Sequence, residues 1–549
     1  MIRVSHFLLV ETSERDIHIG MTMFWRRLIS ARSIAAVLTL ATVSSAWGQA
    51  APSGGSAVTA EILTPAASSS PQIHGPKIFG VRPGSPFLYA IPSTGDRPMT
   101  FSADNLPATL KLDPSTGQIT GSIAQAGDYA ITFHATNALG TATRPFRVTV
   151  GDQIGLTPPM GWNSWNCWGE GVNQQRVLAA AQAMARTGLA QHGWTYVNID
   201  DTWQGTRGGE FNAIQPNPKR FPDIKSMADS IHNLGLKTGI YSTPWTTSYA
   251  GRVGGSAENS EGTWQPPKSR GPYRKKILPF AIGRYPFAGN DAKQWAEWGI
   301  DFLKYDWGPV ELPESQEMAN ALKASGRDIF FSISNNTSGN IFGEVADLSK
   351  VANSWRITTD IGDNWKSVCA NGFNADKWAP YSGPGHFIDP DMLVLGQVGW
   401  GKPHPSHLTP DEQYSHMSLW CLLSAPLLLG CDLDKLDAFT LGLLTNDEVL
   451  DLDQDSLGKQ ATMVAKEGVM TIYAKPLEDG SWAVGFFSHD TQVSHGTLDW
   501  SKIGLSGPQV VRDLWRQKDL GTFNTQFSTD VAPHGVVLVR VTPAKGASH

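Results

Sequence analysis

Between Gly155 and about Gln460 the chain repeats one pattern, a short apolar run followed by a longer stretch of helical texture, and this repetition limits the fold more than any other feature. The runs are Met160–Trp165, Tyr196–Asp201, Lys237–Ser242, Asp301–Asp306, Ile329–Ser334, Trp355–Asp360, Phe387–Leu393 and Pro426–Asp432. Amphipathic stretches such as Gln174–Thr187 and Asp223–Leu234 lie between them. Strands joined through helices pair in parallel, because a parallel neighbour can be reached only by a long crossover. Eight such units in about 300 residues predict an α/β chain with a closed (β/α)8 TIM barrel rather than an open sheet.

The flanks read differently. Arg26, Arg27 and Arg32 precede the apolar run Ile34–Ala41, and small residues follow up to Ala50, the pattern of a secretory signal. Residues 1–50 are therefore expected to be a signal peptide with upstream residues, and the mature protein to be exported to the periplasm or beyond. No later run reaches the roughly eighteen apolar residues of a membrane helix, so no membrane insertion is expected. Residues 51–72, rich in Ala, Ser, Pro and Gly, read as a flexible linker. From 73 to 152 short alternating runs are broken by turns, as in Asp113-Pro114-Ser115-Thr116-Gly117 and Tyr129–Ala135. That texture predicts a β-sandwich, and its turn-and-strand pattern resembles the immunoglobulin-like modules of bacterial surface and secreted proteins. With 153–460 assigned to the barrel, 461–549 returns to alternation, as in Met470–Ala474 and Trp482–Phe487, and predicts a second antiparallel β-sandwich.

Composition narrows the partners. The 44 basic residues are outnumbered by 50 acidic ones, a net charge of −6, so no basic field exists to attract nucleic acid. The 20 tryptophans lean towards carbohydrate, since flat aromatic surface suits sugar rings as well as large cores. Four cysteines, Cys167, Cys369, Cys421 and Cys431, are too sparse for a disulfide framework and leave open one or two bridges. No spacing typical of a zinc site occurs. The sequence does not bear on oligomeric state.

In a barrel of this kind chemistry sits at the carboxyl ends of the strands. Those ends are acidic here: Asp200-Asp201, then Lys304-Tyr305-Asp306, then Arg356 to Asp360, then Asp389-Pro390-Asp391. Any one aspartate could cap the next helix, but four strand ends together strain that reading. Alternation puts Lys304 and Asp306 on one face, and a lysine beside a carboxylate keeps it ionised, the state a nucleophile needs. Asp360, two strands away, is placed to face Asp306. Two opposed carboxyls are the machinery of glycoside hydrolysis.

Seven motifs in order carry a family resemblance: Gly161-Trp162-Asn163-Ser164-Trp165-Asn166, Ile199–Trp203, Gly235–Ser242, Phe302–Asp306, Trp355-Arg356 with Asp360-Ile361, Asp389–Leu393 and Ala425–Gly430. The barrel region resembles glycoside hydrolase family 27, whose commonest members are α-galactosidases. The resemblance implies that Asp306 is the nucleophile of a retaining mechanism and Asp360 its acid/base. It implies that Asp200 and Asp201 accept hydrogen bonds from the 4- and 6-hydroxyls, and that Trp165 underlies the sugar's apolar face. Tyr241, Lys304, Arg356 and Asp391 match sugar-contacting or carboxylate-orienting positions. Neither metal nor organic cofactor is implied. Arg356 stands four residues before Asp360 and would favour its charged form on contact, whereas the crowd of Asp200, Asp201 and Asp306, with partial burial, is expected to outweigh it.

Departures from the family pattern bear on specificity. Trp307-Gly308 follow Asp306 where many members have a disulfide-bonded cysteine, and Phe387-Ile388 replace the usual Trp-Asn. The strand-five loop has Ser334-Asn335-Asn336, and a small Ser334 leaves room for a 2-acetamido group or a water. Residues 249–290 read as an inserted loop near the barrel mouth. The expected activity is release of α-linked galactose from an oligosaccharide or polysaccharide. Related readings are α-N-acetylgalactosaminidase, β-L-arabinopyranosidase or isomaltodextranase, and a rival from another class is a non-catalytic carbohydrate-binding surface protein.

Overall fold

A computed structural model describes residues 60–266, 280–334 and 341–544. The expected signal segment, residues 267–279 of the expected insertion, and Asn335 and Asn336 lie outside these. Eight parallel strands form the central sheet: β1 (Met160–Asn163), β2 (Tyr196–Asn198), β3 (Lys237–Ser242), β4 (Phe302–Asp306), β5 (Phe330–Ser334), β6 (Ser354–Arg356), β7 (Phe387–Asp389) and β8 (Leu427–Leu429). They pair in the order β7-β6-β5-β4-β3-β2-β1-β8. A parallel bridge between Leu393 and Leu429 brings the chain just after β7 against β8 and closes the barrel. Strand approach is close where side chains are small: a Cβ on Gly161 would meet the Tyr196 carbonyl oxygen at 2.4 Å.

The strands are shorter than the apolar runs suggest. Trp165 begins a one-turn helix, Trp165–Trp168; Asp200 and Asp201 lie beyond the end of β2, and Asp360 lies four residues beyond the end of β6. Parallel register sets the site's levels: Tyr241 pairs with Lys304, Asp306 with Ser334 and Arg356 with Asp389.

Helices cover the barrel where the amphipathic pattern predicts them. In α1 (Gln174–Arg186) the Asn173 side chain caps the Arg176 N–H, and in α2 (Ile224–His232) Asp223 caps Ser226 N–H. Further helices are α3 (Ala288–Trp298), α4 (Leu312–Ala324), α5 (Ile341–Val351), α6 (Trp365–Gly372) and α7 (Pro410–Leu423). A capping box of Thr409 and Glu412, with Pro410 at the first position, starts α7, whose residues are buried from Glu412 to Leu423. A helix covered all round lies between two bodies. Here the second body is the C-terminal β domain, which receives hydrogen bonds from Ser415 Oγ to the His534 carbonyl and donates one from Trp515 Nε1 to Ser418 Oγ. That domain has a six-stranded antiparallel sheet and a second pair of strands, Ser494–Asp499 with Gln526–Val531.

The N-terminal module packs a four-stranded sheet and a three-stranded sheet around Phe87, Phe101, Ile119, Phe133 and Val148. It sits against the end of the barrel where the strands begin, opposite their carboxyl ends. Asp328, just before β5, accepts from Arg82 N–H at 2.9 Å and Ser85 Oγ at 3.0 Å. Lys237, at the start of β3, lays its ammonium 4.6 Å from the centre of the Phe79 ring. The stretch expected to be a loose linker is described from Ala60, and this part runs along the barrel. Leu63 N–H donates to Tyr414 Oη at 2.9 Å, and Thr64 Oγ1 to the Gly442 carbonyl at 2.7 Å. An extended chain lacks periodicity yet can satisfy its backbone from neighbours, which is why composition alone reads it as a tether.

None of the four cysteines is in a disulfide. Among the described residues no helix is long and apolar enough to cross a membrane. The hairpin after β2 is tied to the first turn of α3 by Arg207 and Asp291, whose side chains are almost wholly buried, with Arg207 Nη1 2.6 Å from Asp291 Oδ1. Arg207 Nη2 also reaches the Gly254 carbonyl, and Ile214 N–H donates to Asp291. Asp291→Ala strands a buried guanidinium and is expected to cost about 3–5 kcal/mol, read as a lowered urea midpoint of tryptophan fluorescence. An unchanged midpoint would contradict this role.

Candidate active site

Residues from six strand ends converge on one cavity at the carboxyl end of the barrel, of about 560 Å³ with its open mouth included. Trp165, Asp200, Asp201, Tyr241, Lys304, Asp306, Arg356, Asp360 and Asp391 all line it. Nine of the ten residues expected at the site are therefore brought together. Ser334 is not among the lining residues: it ends β5 beside Asp306, is buried, and lies 3.5 Å from Arg356 Nη1.

The floor is held by hydrogen bonds. Asp200, 2% exposed, accepts Lys304 Nζ on Oδ2 at 2.7 Å, and its own N–H donates to Ser164 Oγ. Asp201 accepts Ser248 Oγ at 2.9 Å, Ala250 N–H at 2.9 Å and Thr202 N–H at 2.6 Å. Burial raises the Asp201 carboxyl above its ordinary range, and these donors oppose the rise. Thr202 and Asp391 both adopt φ +83°, a left-handed conformation uncommon outside glycine. The Thr202 N–H is held by two acceptors and the Asp391 N–H by Asp389 Oδ1, so side chains at the site fix these turns.

Lys304 favours the ionised form of Asp306, as alternation suggests, but without bonding it. The two share a face, but the ammonium bonds Asp200 and affects Asp306 only through its field. Burial pushes the Asp306 carboxyl up to about 7; Lys304 opposes, while Asp200 and Asp360 add to the rise. Lys304 itself, which burial alone would lower, is held above its ordinary range by Asp200 and Asp306. Tyr241 is 1% exposed, its hydroxyl has no hydrogen-bond partner, and burial followed by the charge of Asp306 raises it.

Arg356 bridges two carboxylates, with Nη2 3.0 Å from Asp360 Oδ1 and Nη1 3.0 Å from Asp391 Oδ1. Asp391 is buried and also accepts the Ile361 N–H at 2.7 Å. The partial burial expected for Asp360 is much weaker than supposed, because its side chain is 58% exposed. The chain leaves the barrel wall after Arg356, so Asp360 stands at the rim instead of on the strand.

Asn166, Tyr249, Met392 and Trp400 also line the cavity, and none was singled out from sequence. Tyr249 opens the expected 249–290 insertion, so the start of that stretch does reach the mouth. Trp400 lies between two glycines in the segment joining β7 to α7, the one signal that marks it. Two groups outside the cavity bring His and Asp side chains within 4.8 Å, namely His74, His192 and Asp447, and Asp363, His404 and His407. Each draws on segments far apart in sequence, which no linear spacing displays.

A family model described as Alpha galactosidase A matches residues 157–261 and 278–455, and one for the alpha galactosidase C-terminal beta sandwich domain matches 467–541. An Ig-domain model matches 70–151. The chain is 38% identical over 427 residues to the "Probable alpha-galactosidase" of Dictyostelium discoideum, covering 75% of this chain and 98% of that one. It is 36% identical to the alpha-galactosidase of Oryza sativa, over 71% of this chain and 86% of that one. The crystal structure of alpha-galactosidase I from Mortierella vinacea superposes with a TM-score of 0.61 at 30% identity, covering 72% of this chain and 99% of that one.

A carboxyl raised in this way keeps its proton to higher pH. Asp306 is expected to titrate near pH 7, followed by carboxyl-carbon NMR against an Asp306→Asn reference. Lys304→Met removes the opposing cation and should move the midpoint upward. A midpoint near the ordinary value of about 4 would contradict the burial.

Proposed function

The chain belongs to the alpha-galactosidase family, glycoside hydrolase family 27, and from that premise we propose that it is a retaining exo-α-galactosidase. One observation carries the reading: Asp306 and Asp360, from the end of β4 and the segment after β6, line the same cavity as the adjacent pair Asp200-Asp201. In this reading the Asp306 carboxylate attacks the anomeric carbon as the bond to the leaving oxygen breaks. Asp360 gives that oxygen its proton. The resulting glycosyl-aspartate is cleaved when Asp360, now a base, takes a proton from water, and the sugar leaves with its original configuration.

The remaining residues fit a terminal sugar held at the cavity floor. Asp200 and Asp201 stand side by side, which suits an axial 4-hydroxyl next to a 6-hydroxyl, two donors close together. Their burial strengthens those bonds, since little water competes. Trp165 lies under the ring's apolar face. Tyr241, whose buried hydroxyl has no hydrogen-bond partner, lines the same cavity as Asp306 and offers a donor to a sugar or to a carboxylate there. Asp360 at the rim faces the departing group and exchanges protons with solvent. No step requires a metal or organic cofactor. The signal-like N-terminal sequence puts this activity outside the cytoplasm, on oligosaccharides or polysaccharide side chains.

Asp306→Asn is expected to abolish turnover of nitrophenyl α-galactoside, and Asp306→Gly with azide to yield the β-galactosyl azide. Asp360→Asn should lose about 10²–10⁴-fold on sugar leaving groups and far less on a nitrophenol, which departs with little protonation. Proton NMR of the wild-type reaction should show the α-anomer of galactose first. Initial β-anomer, or near-normal rates in both variants, would overturn the assignment.

A further inference from the structure

We propose that Trp400 is the platform on which the leaving-group pyranose stacks, an inference that rests on the α-galactosidase reading and deepens it. Thirteen residues line the cavity, and the deep ones, among them Asp200, Asp201, Tyr241, Arg356 and Asp391, are buried. Only Asp360 and Trp400 are exposed. These two form the outer rim. The oxygen that Asp360 protonates is the link between galactose and the leaving group, so the next ring emerges at the level of Trp400.

Trp400 is unusual within this chain. It is 38% exposed, and among the described residues no other tryptophan is classed as exposed. It is partly open at the mouth, whereas Trp162, Trp203 and Trp355 are wholly buried in the core. A lone exposed aromatic needs no special explanation on an ordinary surface. This one is held in place at a cost. Its backbone has φ +49°, a left-handed conformation that a residue with a Cβ seldom adopts.

The strain is fixed by the hairpin that carries it. Gln397–Val398 pairs with His404–Pro405, and Trp400 is in the turn. Gly399 N–H and Trp400 N–H both donate to the Asn166 carbonyl, at 2.8 and 3.0 Å, and Gly401 N–H donates to the Cys167 carbonyl at 2.9 Å. A Cβ on Gly399 would meet the Lys402 carbonyl oxygen at 2.3 Å, so the turn accepts only glycine there. At the far end of the hairpin, His407 N–H donates to Asp363 Oδ2 at 3.1 Å. Trp400 is thus bonded to the segment that carries Trp165, and its loop to the segment that carries Asp360. An indole so fixed stacks on the C–H face of a sugar without first being ordered, which is the benefit of preorganisation. The ligand class is a neutral pyranose, such as glucose or a second galactose, joined to the terminal galactose.

The experiment compares two donors that differ only in the departing group. One is galactose α-1,6-linked to glucose; the other is α-galactosyl fluoride, whose leaving group has no ring. Trp400→Ala and Trp400→Asn are both made, because asparagine tolerates the left-handed backbone and separates loss of the ring from misfolding. Both should lose about tenfold in kcat/KM on the disaccharide, about 1.4 kcal/mol, and keep wild-type kcat/KM on the fluoride. Trp400→Tyr should retain most of the disaccharide activity. Equal loss on both donors, or no loss on the disaccharide, overturns the platform while leaving the glycosidase reading intact. If the wild-type enzyme cleaves neither donor, the α-galactosidase reading falls, and the platform with it.

Discussion

Five carboxylates share one cavity with two buried cations, Lys304 and Arg356, and that charge imbalance governs the rest of the site. Five against two leaves three negative charges uncompensated if every group ionises. Removed from water, such an excess is expensive, so part of it is relieved by protons. The raised Asp201, Asp306 and Asp391 carboxyls express this pressure. Each cation serves two carboxylates: Lys304 bonds Asp200 and acts at a distance on Asp306, while Arg356 joins Asp391 to Asp360. Lys304 organises the side of Asp200 and Asp306, and Arg356 ties the buried Asp391 to Asp360 at the rim.

A tight barrel is what makes this crowding tolerable. The acidic residues are not on one flexible loop but at separate strand ends, and parallel register sets Tyr241 against Lys304 and Asp306 against Ser334. Only Asp306 lies within a strand; the other four follow the strand ends in turns held by hydrogen bonds. The turns beyond the strands are stiffened in the same way, since the left-handed Thr202 and Asp391 are pinned by hydrogen bonds from within the site. Arg207 and Asp291 join the hairpin after β2 to the start of α3 through a buried contact. Position is therefore supplied by the scaffold, and the electrostatics can remain strained.

Much of this was legible in the sequence, for a reason. Each barrel strand is short and apolar and ends in charge, so both the repeat and its catalytic end stand out in the linear text. The convergence of Trp165, Asp200, Asp201, Tyr241, Lys304, Arg356 and Asp391 on the cavity of Asp306 and Asp360 follows from strand ends alone. What was not legible depends on angles rather than order. Period-two alternation places Lys304 on the face of Asp306 but cannot tell which carboxylate its four-carbon stem will reach. Nor can it show that the wall ends at Arg356, leaving Asp360 exposed, or that Ser334 falls outside the lining residues. Trp400 sits in a hairpin with no periodicity, and Leu63 and Thr64 are held by partners hundreds of residues away.

The seat of the immunoglobulin-like module has a consequence for orientation. It caps the end of the barrel where Asp328 and Lys237 lie, the end remote from the acidic mouth. Any anchorage made through the module would leave the opening pointing away from the point of attachment. Whatever the module rests on, the cavity would face open solvent.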